Sequence, residues 1–256
     1  MTENIITNNI NDETSNIKTD VTIKTDTTDS SNTQKNLKKN KKKKHRIRVN
    51  DQSLWEEIAN AISHGVGAGL AIAGTVVLLV KAATIGTAID VVSSALYGAS
   101  LIITYLFSCI YHSLAHNRGK KVFQIFDHCS IFLLIWGTYI PVCLSLLHNA
   151  LGWVLFGIIG LFAVLGIVFN AINLEKWHKI SLILYIVMGW LVVFTAKPVF
   201  SKIVPAGLVY LLVGGVCYTL GVIFFKLKIK YMHFIWHLFV LAGSILHFFF
   251  IYLYVI

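Results

Sequence analysis

Charged residues are scarce in this chain: Asp, Glu, Lys and Arg make up 13% of its 256 residues, about half the share that soluble domains carry. Hydrophobic residues make up 56% and fall into long uninterrupted runs. A soluble core is built from shorter periodic apolar stretches. The composition therefore excludes an ordinary soluble domain and predicts a multi-pass integral protein of the plasma membrane or an endomembrane.

Cysteine and proline are also rare. The four cysteines stand singly inside apolar runs, without a CxxC pair. This spacing supports neither a disulfide framework nor a redox motif, so we interpret them as small core residues. Of the three prolines, Pro141 falls inside an apolar run, where we expect it to kink a helix.

Residues 1–50 differ in composition from the rest of the chain. Residues 1–33 are rich in Thr, Asn, Asp and Ser and have no continuous apolar segment, so we predict that they are disordered. The basic run QKNLKKNKKKKHRIR, residues 34–48, is compatible with a nucleic-acid arm. Its position just before the first apolar run favours anionic lipid at the cytoplasmic surface instead. We expect lipid partners and no nucleic acid.

The remaining residues, 51–256, contain seven candidate membrane spans. Each is close to the ~20 residues that cross ~30 Å of hydrocarbon as a helix, and their unbroken apolarity is not the alternating pattern of a barrel. They cover residues 57–80, 88–112, 124–147, 150–170, 180–197, 203–225 and 232–256. The predicted fold is an all-α bundle of seven transmembrane helices.

Loop charges predict the orientation of this bundle, because short cytoplasmic loops accumulate Lys and Arg. One side of the predicted bundle carries the basic run together with Arg118, Lys120, Lys121, Lys176, Lys179, Lys226, Lys228 and Lys230, and the other side carries Lys81, Lys197 and Lys202. We therefore predict a cytoplasmic amino terminus and a carboxyl terminus on the far side of the membrane.

Polar side chains inside the spans are the candidates for function, because an ionisable group there costs roughly 2.5–3.5 kcal/mol. His112 ends the second span, and Ser108 precedes it by one helical turn. Asp127 lies near the start of the third span. His233 and His237 lie at the start of the seventh, spaced as HxxxH. The alternation of spans brings all five residues into the inner-leaflet layer.

Three imidazoles beside a carboxylate form a donor set suited to a transition metal. Zinc binds neutral imidazole nitrogens, and its catalytic sites combine three protein ligands with an open position. The alternative is that each histidine is a hydrogen-bonded packing residue, but their convergence at one depth favours a metal. His64 is a candidate for supporting contacts, with Glu56 and Asn60 on a related face. His247 follows His237 by ten residues, about 15 Å along a helix, which is too far to share the metal.

Five separated blocks resemble the hemolysin III family, part of the progestin and adipoQ receptor superfamily that includes the adiponectin receptors. They are EEIANAISHGVG, SCIYHSLAH, FDHCSIFLLIWGTYIP, GGVCYTLGVIFF and MHFIWHLFVLAGSILHFF, and the resemblance covers residues 53–256. It implies a seven-helix bundle with an intramembrane zinc ion held by His112, His233 and His237. The family's motif serine falls on Ser108, and its motif aspartate falls on Asp127.

The leading functional hypothesis is a zinc-dependent hydrolase of an amide or ester bond in a membrane lipid. The resemblance extends to alkaline ceramidases, which hydrolyse ceramide-like lipids. Asp127 would accept and return a proton, and Ser108 would orient water or hold the developing oxyanion. The alternatives are a pore-forming, cytolytic protein with a structural zinc ion and a receptor-like lipid sensor. The sequence leaves the substrate lipid and the oligomeric state open.

Overall fold

The computed structural model describes residues 52–256, apart from the side chains of residues 195 and 196. The amino-terminal tail, residues 1–50, with its predicted disordered segment and its basic run, lies outside the described residues. Within residues 52–256 the secondary structure is entirely helical, without a strand. The prediction of an all-α protein is therefore confirmed for this part of the chain.

Seven α-helices follow one another along the described chain. They are α1 (Leu54–Ile85), α2 (Ala88–Ser113), α3 (Arg118–Ile140), α4 (Ala150–Trp190), α5 (Ala196–Phe200), α6 (Pro205–Lys226) and α7 (Met232–Tyr254). A π-helical segment, Pro141–Leu147, extends α3, and a 3-10 turn, Leu191–Thr195, follows α4. The change of geometry at Pro141 agrees with the expected disturbance, because proline lacks the amide proton that continues an α-helix.

Six of the helices in residues 52–256 are long and apolar enough to cross a membrane, whereas the sequence predicted seven spans. The difference arises in α4, which with the following turn forms one stretch of 45 residues, about twice the length that hydrocarbon requires. Asn173 interrupts it with φ −161° and ψ 90°. The Asn173 Oδ1 accepts a hydrogen bond from the Lys176 amide at 3.0 Å, as the N-cap of a new helix does. Two helical segments therefore meet at Asn173.

The start of α1 is specified by local sequence. Ser53 and Glu56 form a capping box, in which the Ser53 hydroxyl accepts from the Glu56 amide and the Glu56 carboxylate accepts from the Ser53 amide. Trp55, in the first turn, is 70% exposed. Tryptophan is enriched at the boundary between headgroups and hydrocarbon. The beginning of α1 thus carries both a start signal for the helix and a marker of the membrane interface.

Glycines allow the helices to approach closely, as small residues commonly do between membrane helices. A Cβ atom at Gly67 would lie 2.8 Å from the ring of Tyr105 on α2. A Cβ atom at Gly214 would lie 2.3 Å from the ring of His247 on α7. These close approaches pack α1 against α2 and α6 against α7.

Candidate metal centre

Three histidines from two helices meet at one end of the bundle. The His233 Nε2 lies 3.3 Å from the His112 Nε2 and 3.1 Å from the His237 Nε2. One ligand atom from each residue lies within 4.8 Å of the others. His112 and His237 are buried, and His233 is half-buried. The structure thus brings together the three residues that the sequence predicted as metal ligands.

Glu57 on α1 fixes the orientation of His112. The Nδ1 of His112 lies 2.7 Å from the Glu57 Oε2. Because an ionised carboxylate only accepts hydrogen bonds, Nδ1 carries the proton, and the neutral ring keeps a lone pair at Nε2. This is the arrangement found around metal-bound histidines, whose second nitrogen donates to a carboxylate or carbonyl.

Glu57 also pairs with a buried lysine. Its Oε1 lies 3.0 Å from the Lys120 Nζ, and that ammonium group donates to the carbonyls of Tyr111 and Leu114 at 3.2 and 3.1 Å. Lys120 belongs to the first turn of α3, where Asn117 is the N-cap. A lysine that the sequence suggested only as a loop cation therefore anchors the carboxylate that orients His112.

Ser63 on α1 plays the corresponding part for His237. The Ser63 hydroxyl donates to the carbonyl of Asn60 at 2.8 Å, so its oxygen accepts from the His237 Nδ1 at 3.1 Å. The lone pair of the His237 Nε2 is then left for a metal. The ring of His64 stacks on His237 with centroids 3.6 Å apart and 9° between the planes. The expected supporting role of His64 therefore takes the form of a stacking contact.

Glu56 positions the first turn of α7, which carries His233. Its Oε1 accepts a hydrogen bond from the amide of Tyr231 at 2.8 Å. Tyr231 has the left-handed φ of 62° and precedes the first residue of α7. Asn60, the other residue suggested beside His64, donates to Gln52 at 2.7 Å. Glu56 therefore acts on the site through the backbone of α7, and Asn60 acts through its carbonyl, which accepts from the Ser63 hydroxyl.

The donor set fits a metal ion. In neutral rings the Nε2 atoms of His112 and His237 both carry lone pairs, because the Nδ1–H groups donate hydrogen bonds to Glu57 and Ser63. The His233 Nε2 between them offers at most one proton. Hydrogen bonding therefore leaves at least one of these close nitrogens unsatisfied, whereas a cation accepts all three lone pairs. Imidazole nitrogens suit zinc, copper, iron and nickel.

Within residues 52–256 neither of the two predicted catalytic residues forms a hydrogen bond with the three imidazoles. Ser108, one turn before His112, is buried, and its hydroxyl has no hydrogen-bond partner within residues 52–256. The Asp127 Oδ2 lies 3.7 Å from the Nδ1 of the neighbouring His128. In the described part of the chain no hydrogen bond joins Asp127 to the three imidazoles. Their catalytic roles stay predictions.

Comparisons with known proteins identify the family of this chain. A family described as Haemolysin-III related matches residues 52–248. The chain belongs to this family. The resemblance inferred from the five blocks is therefore confirmed, and with six apolar helices it supports a multi-pass integral membrane protein.

Several relatives of this haemolysin-III-related protein match over most of their length. It is 44% identical over 206 residues to Hemolysin-3 of Bacillus cereus, covering 80% of this chain and 94% of that protein. It is 41% identical over 198 residues to the Hemolysin-3 homolog of Bacillus subtilis (strain 168), covering 77% and 93%. It is 27% identical over 233 residues to the human Monocyte to macrophage differentiation factor, covering 82% and 90%.

The roles of Glu57 and Ser63 as hydrogen-bond partners of His112 and His237 were not predicted from the sequence of this haemolysin-III-related protein. A signal for Glu57 was present, because Glu57, Asn60 and His64 are spaced by three and four residues and share one face of α1. The predicted orientation also placed the start of α1 at the same membrane surface as His112. Ser63 had no comparable signal, since a serine beside a histidine is common inside apolar helices.

Proposed function

We propose that this protein is a zinc-dependent hydrolase that cleaves an amide or ester bond of a membrane lipid. The observation that carries the proposal is the set of three imidazole nitrogens spaced by 3.1 and 3.3 Å. Nitrogens held at the zinc distance of about 2.0–2.1 Å in a tetrahedral arrangement lie about 3.3 Å from one another. Three protein nitrogens leave a fourth position, as in catalytic zinc sites.

His112, His233 and His237 would hold the zinc ion, which supplies Lewis-acid chemistry and water activation when bound. Glu57 and Ser63 keep two of these rings in the tautomer that ligation requires. The buried Ser108 hydroxyl lies one turn before His112 and has no hydrogen-bond partner within residues 52–256, so it is available to donate to a substrate carbonyl. Asp127 is the group assigned to accept the proton during hydrolysis and to return it to the leaving group.

Lipid would reach the site laterally between the helices. The outer faces of the helices expose large apolar side chains, including Ile62, Val66 and Leu70 on α1, which suit contact with acyl chains. The polar groups that recognise a lipid linkage gather at one end. Membrane lipids are therefore the proposed substrates, and anionic lipid is the proposed partner of residues 34–48.

Asp127→Asn tests the hydrolase. We expect the variant to keep its zinc but to lose lipid hydrolysis by at least about 100-fold, the usual contribution of a general acid–base. The measurement is release of fatty acid from ceramide in vesicles, together with metal analysis of the same sample. Glu175→Gln, which changes an exposed carboxylate on α4, is the matched control and should hydrolyse ceramide like wild type. Equal hydrolysis by both variants would refute the role of Asp127.

A permeabilising protein is the second candidate, because two relatives carry the printed name Hemolysin-3. The charged pair Glu57–Lys120 and the histidine group lie at one end of the helices, whereas an ion path needs polar groups along its length. Dye release from vesicles containing the protein separates the two functions. Leakage that is equally strong with Asp127→Asn, in the absence of hydrolysis by wild type, would favour permeabilisation.

We also propose that the chain crosses the membrane seven times, with its amino terminus in the cytoplasm and its carboxyl terminus on the far side. Support comes from the break at Asn173, which converts α4 into two segments of spanning length. The ring of His178, just after the break, lies 6.2 Å from that of His128 and 5.6 Å from that of Phe225. Phe225 in turn contacts His233, so the break lies at the end that carries the metal centre.

Labelling of the two surfaces tests this topology. In intact cells, we expect an antibody to reach an epitope tag placed after Ile256, but not a tag placed before Met1. A cysteine replacing Glu175, just after the break, should react with an impermeant maleimide only after permeabilisation. Six crossings would place both tags on the same side, which would contradict the proposal.

A further inference from the structure

A second pair of histidines lies beside the metal centre, on the side that α1 leaves open. On the α1 side, the Glu57 carboxylate is bonded to the His112 Nδ1. The ring of His64, also on α1, covers the ring of His237. His233 is the half-buried member of the three-histidine group. An ion therefore reaches the group from the side of His233.

Phe225 on α6 connects His233 to the second pair, His128 and His178. The Phe225 ring centroid lies 5.5 Å from that of His233 and 5.6 Å from that of His178 on α4. The His178 ring in turn lies 6.2 Å from the ring of His128 on α3. His128 is also close enough to His233 for the two rings to interact electrostatically. Three helices thus place two further imidazoles next to the half-buried side of the metal centre.

The fold of α4 sets His178 opposite His128. The Ser181 hydroxyl donates to the Asn170 Oδ1 at 2.6 Å, although the 11 residues between them would span about 16 Å of continuous helix. The two segments of α4 therefore fold back on each other. The Tyr185 hydroxyl, further along the second segment, donates to the carbonyl of His128 at 2.7 Å. These hydrogen bonds hold the second segment of α4 against α3.

The ring nitrogens of this pair are free to bind an ion. The His128 Nδ1 lies 2.8 Å from the carbonyl oxygen of Gln124, and a carbonyl only accepts, so Nδ1 carries the proton and Nε2 keeps a lone pair. Within residues 52–256 neither this Nε2 nor either nitrogen of His178 has a hydrogen-bond partner. Unlike the enclosed nitrogens of His64, these atoms are accessible. The His128 side chain is 13% exposed, and His178 is half-buried.

A carboxylate beside the pair favours a cation as its occupant. The Asp127 Oδ2 lies 3.7 Å from the His128 Nδ1, and the Asp127 side chain is 12% exposed. A negative group at an accessible position raises the local concentration of cations. Imidazole nitrogens select transition metals among these cations. The chemistry of the pair therefore suits the same class of ion as the metal centre.

The spacing of the pair fits one shared ion that is held loosely. A ring centroid lies about 3.2 Å from a zinc ion bound by its nitrogen, so two rings on one ion have centroids up to about 6.4 Å apart. The 6.2 Å between His128 and His178 is close to this limit, whereas the rings of the metal centre are 4.7–5.1 Å apart. Two imidazoles near the limit bind more weakly than three at the shorter spacing. An ion on the pair is therefore released to the three-histidine group.

We propose that His128 and His178 form an entry site, which takes up a divalent transition-metal ion and passes it to the three-histidine group. The transfer exchanges one imidazole ligand for another and leaves the oxidation state of the ion unchanged. His233, the half-buried ligand beside Phe225, receives the ion first. The entry site rests on the metal centre of the proposed function, but not on lipid hydrolysis.

The kinetics of metal exchange test the entry site. The probe is cobalt(II), which binds nitrogen ligands as zinc does and absorbs visible light, so its uptake by the metal-free protein is followed directly. His128→Phe and His178→Phe remove the nitrogens and keep a ring. Both variants should take up cobalt about tenfold more slowly than wild type, because a cleft that concentrates an ion speeds its binding by roughly this factor or more. Release to an excess of chelator should slow by the same factor, because a site on the path serves both directions.

The cobalt content at saturation should equal that of wild type in both variants. This readout separates an entry site from a structural role, since a variant that distorts the metal centre lowers its affinity as well. His116→Phe is the matched control, because His116 is an exposed histidine near the same end of the bundle, and it should take up cobalt like wild type. Thermal unfolding shows which variants are folded. Should His128→Phe fail to fold, His178→Phe still decides.

Two results would overturn the entry site and leave the metal centre in place. One is uptake by the folded His178→Phe variant that is as fast as in wild type. The other is a loss of cobalt affinity without a change in the rate of uptake. A wild-type protein that takes up no cobalt would instead refute the metal centre, and with it both the proposed function and the entry site.

Discussion

We expect purified His237→Ala protein to contain no zinc, whereas wild type and His116→Ala should each contain about one zinc ion per chain. The reason is geometric: the His237 Nε2 lies 3.1 Å from that of His233, and its ring is held by Ser63 and His64. The loss should exceed the 10–100-fold effect of removing an outer hydrogen-bond partner, because a ligand itself is lost. His116 is exposed near the same end of the bundle and controls for the removal of an imidazole.

Metal analysis measures the occupancy, and thermal unfolding with added zinc measures whether the variant still responds. At a free zinc concentration 100 times its dissociation constant, wild type should gain about 2.7 kcal/mol in unfolding free energy. The unfolding free energy of His237→Ala should not rise at that zinc concentration. Equal zinc content in wild type and His237→Ala would show that the three-histidine group is not the metal site.

Glu57→Leu is expected to have the second large effect, because it removes one partner of a buried ion pair. The side chains of Glu57 and Lys120 are each 9% exposed, and their charged atoms are 3.0 Å apart. Leaving the Lys120 ammonium unpaired should lower the unfolding free energy of the metal-free protein by about 3–5 kcal/mol. Lys121→Met, at the exposed neighbouring position, should change it little.

The double variant Glu57→Leu with Lys120→Met separates stability from metal binding. Without a buried charge, most of the lost unfolding free energy should return. Zinc affinity should stay 10–100-fold below wild type, because the His112 Nδ1 still lacks its acceptor. Zinc titration and thermal unfolding are measured on the same samples. Full recovery of zinc affinity in the double variant would show that Glu57 acts on the fold alone.

The convergence of His112, His233 and His237 was predictable from the sequence because it depends on which ends of the spans share a membrane surface. Charge in the loops and alternation of the spans predict which ends these are without any side-chain geometry. The number of membrane-spanning helices was harder to predict. Asn173 caps a new helical segment inside a continuous helical stretch, so the expected polar loop between two spans is replaced by one residue with extended backbone.

The partners of the histidines were not predictable to the same degree. Spans specify depth, but the rotation of each helix about its axis decides which side chains meet. Glu57 and Ser63 reach His112 and His237 because α1 presents that face to α2 and α7. The sequence predicts that Asp127 lies near the start of α3, but residue spacing does not give the rotation of α3 about its axis. In the structure the Asp127 carboxylate lies beside His128.

The exposed indole of Trp55 has a consequence for which part of a lipid meets the histidines. Glu57 follows Trp55 by two residues and touches His112 directly. Since tryptophan settles where headgroups give way to acyl chains, the three imidazoles should lie at that same level. Glycerol and sphingoid linkages occupy this layer, whereas terminal methyl groups lie at the bilayer centre. Membrane depth alone would then select the linkage region of a lipid over its tail.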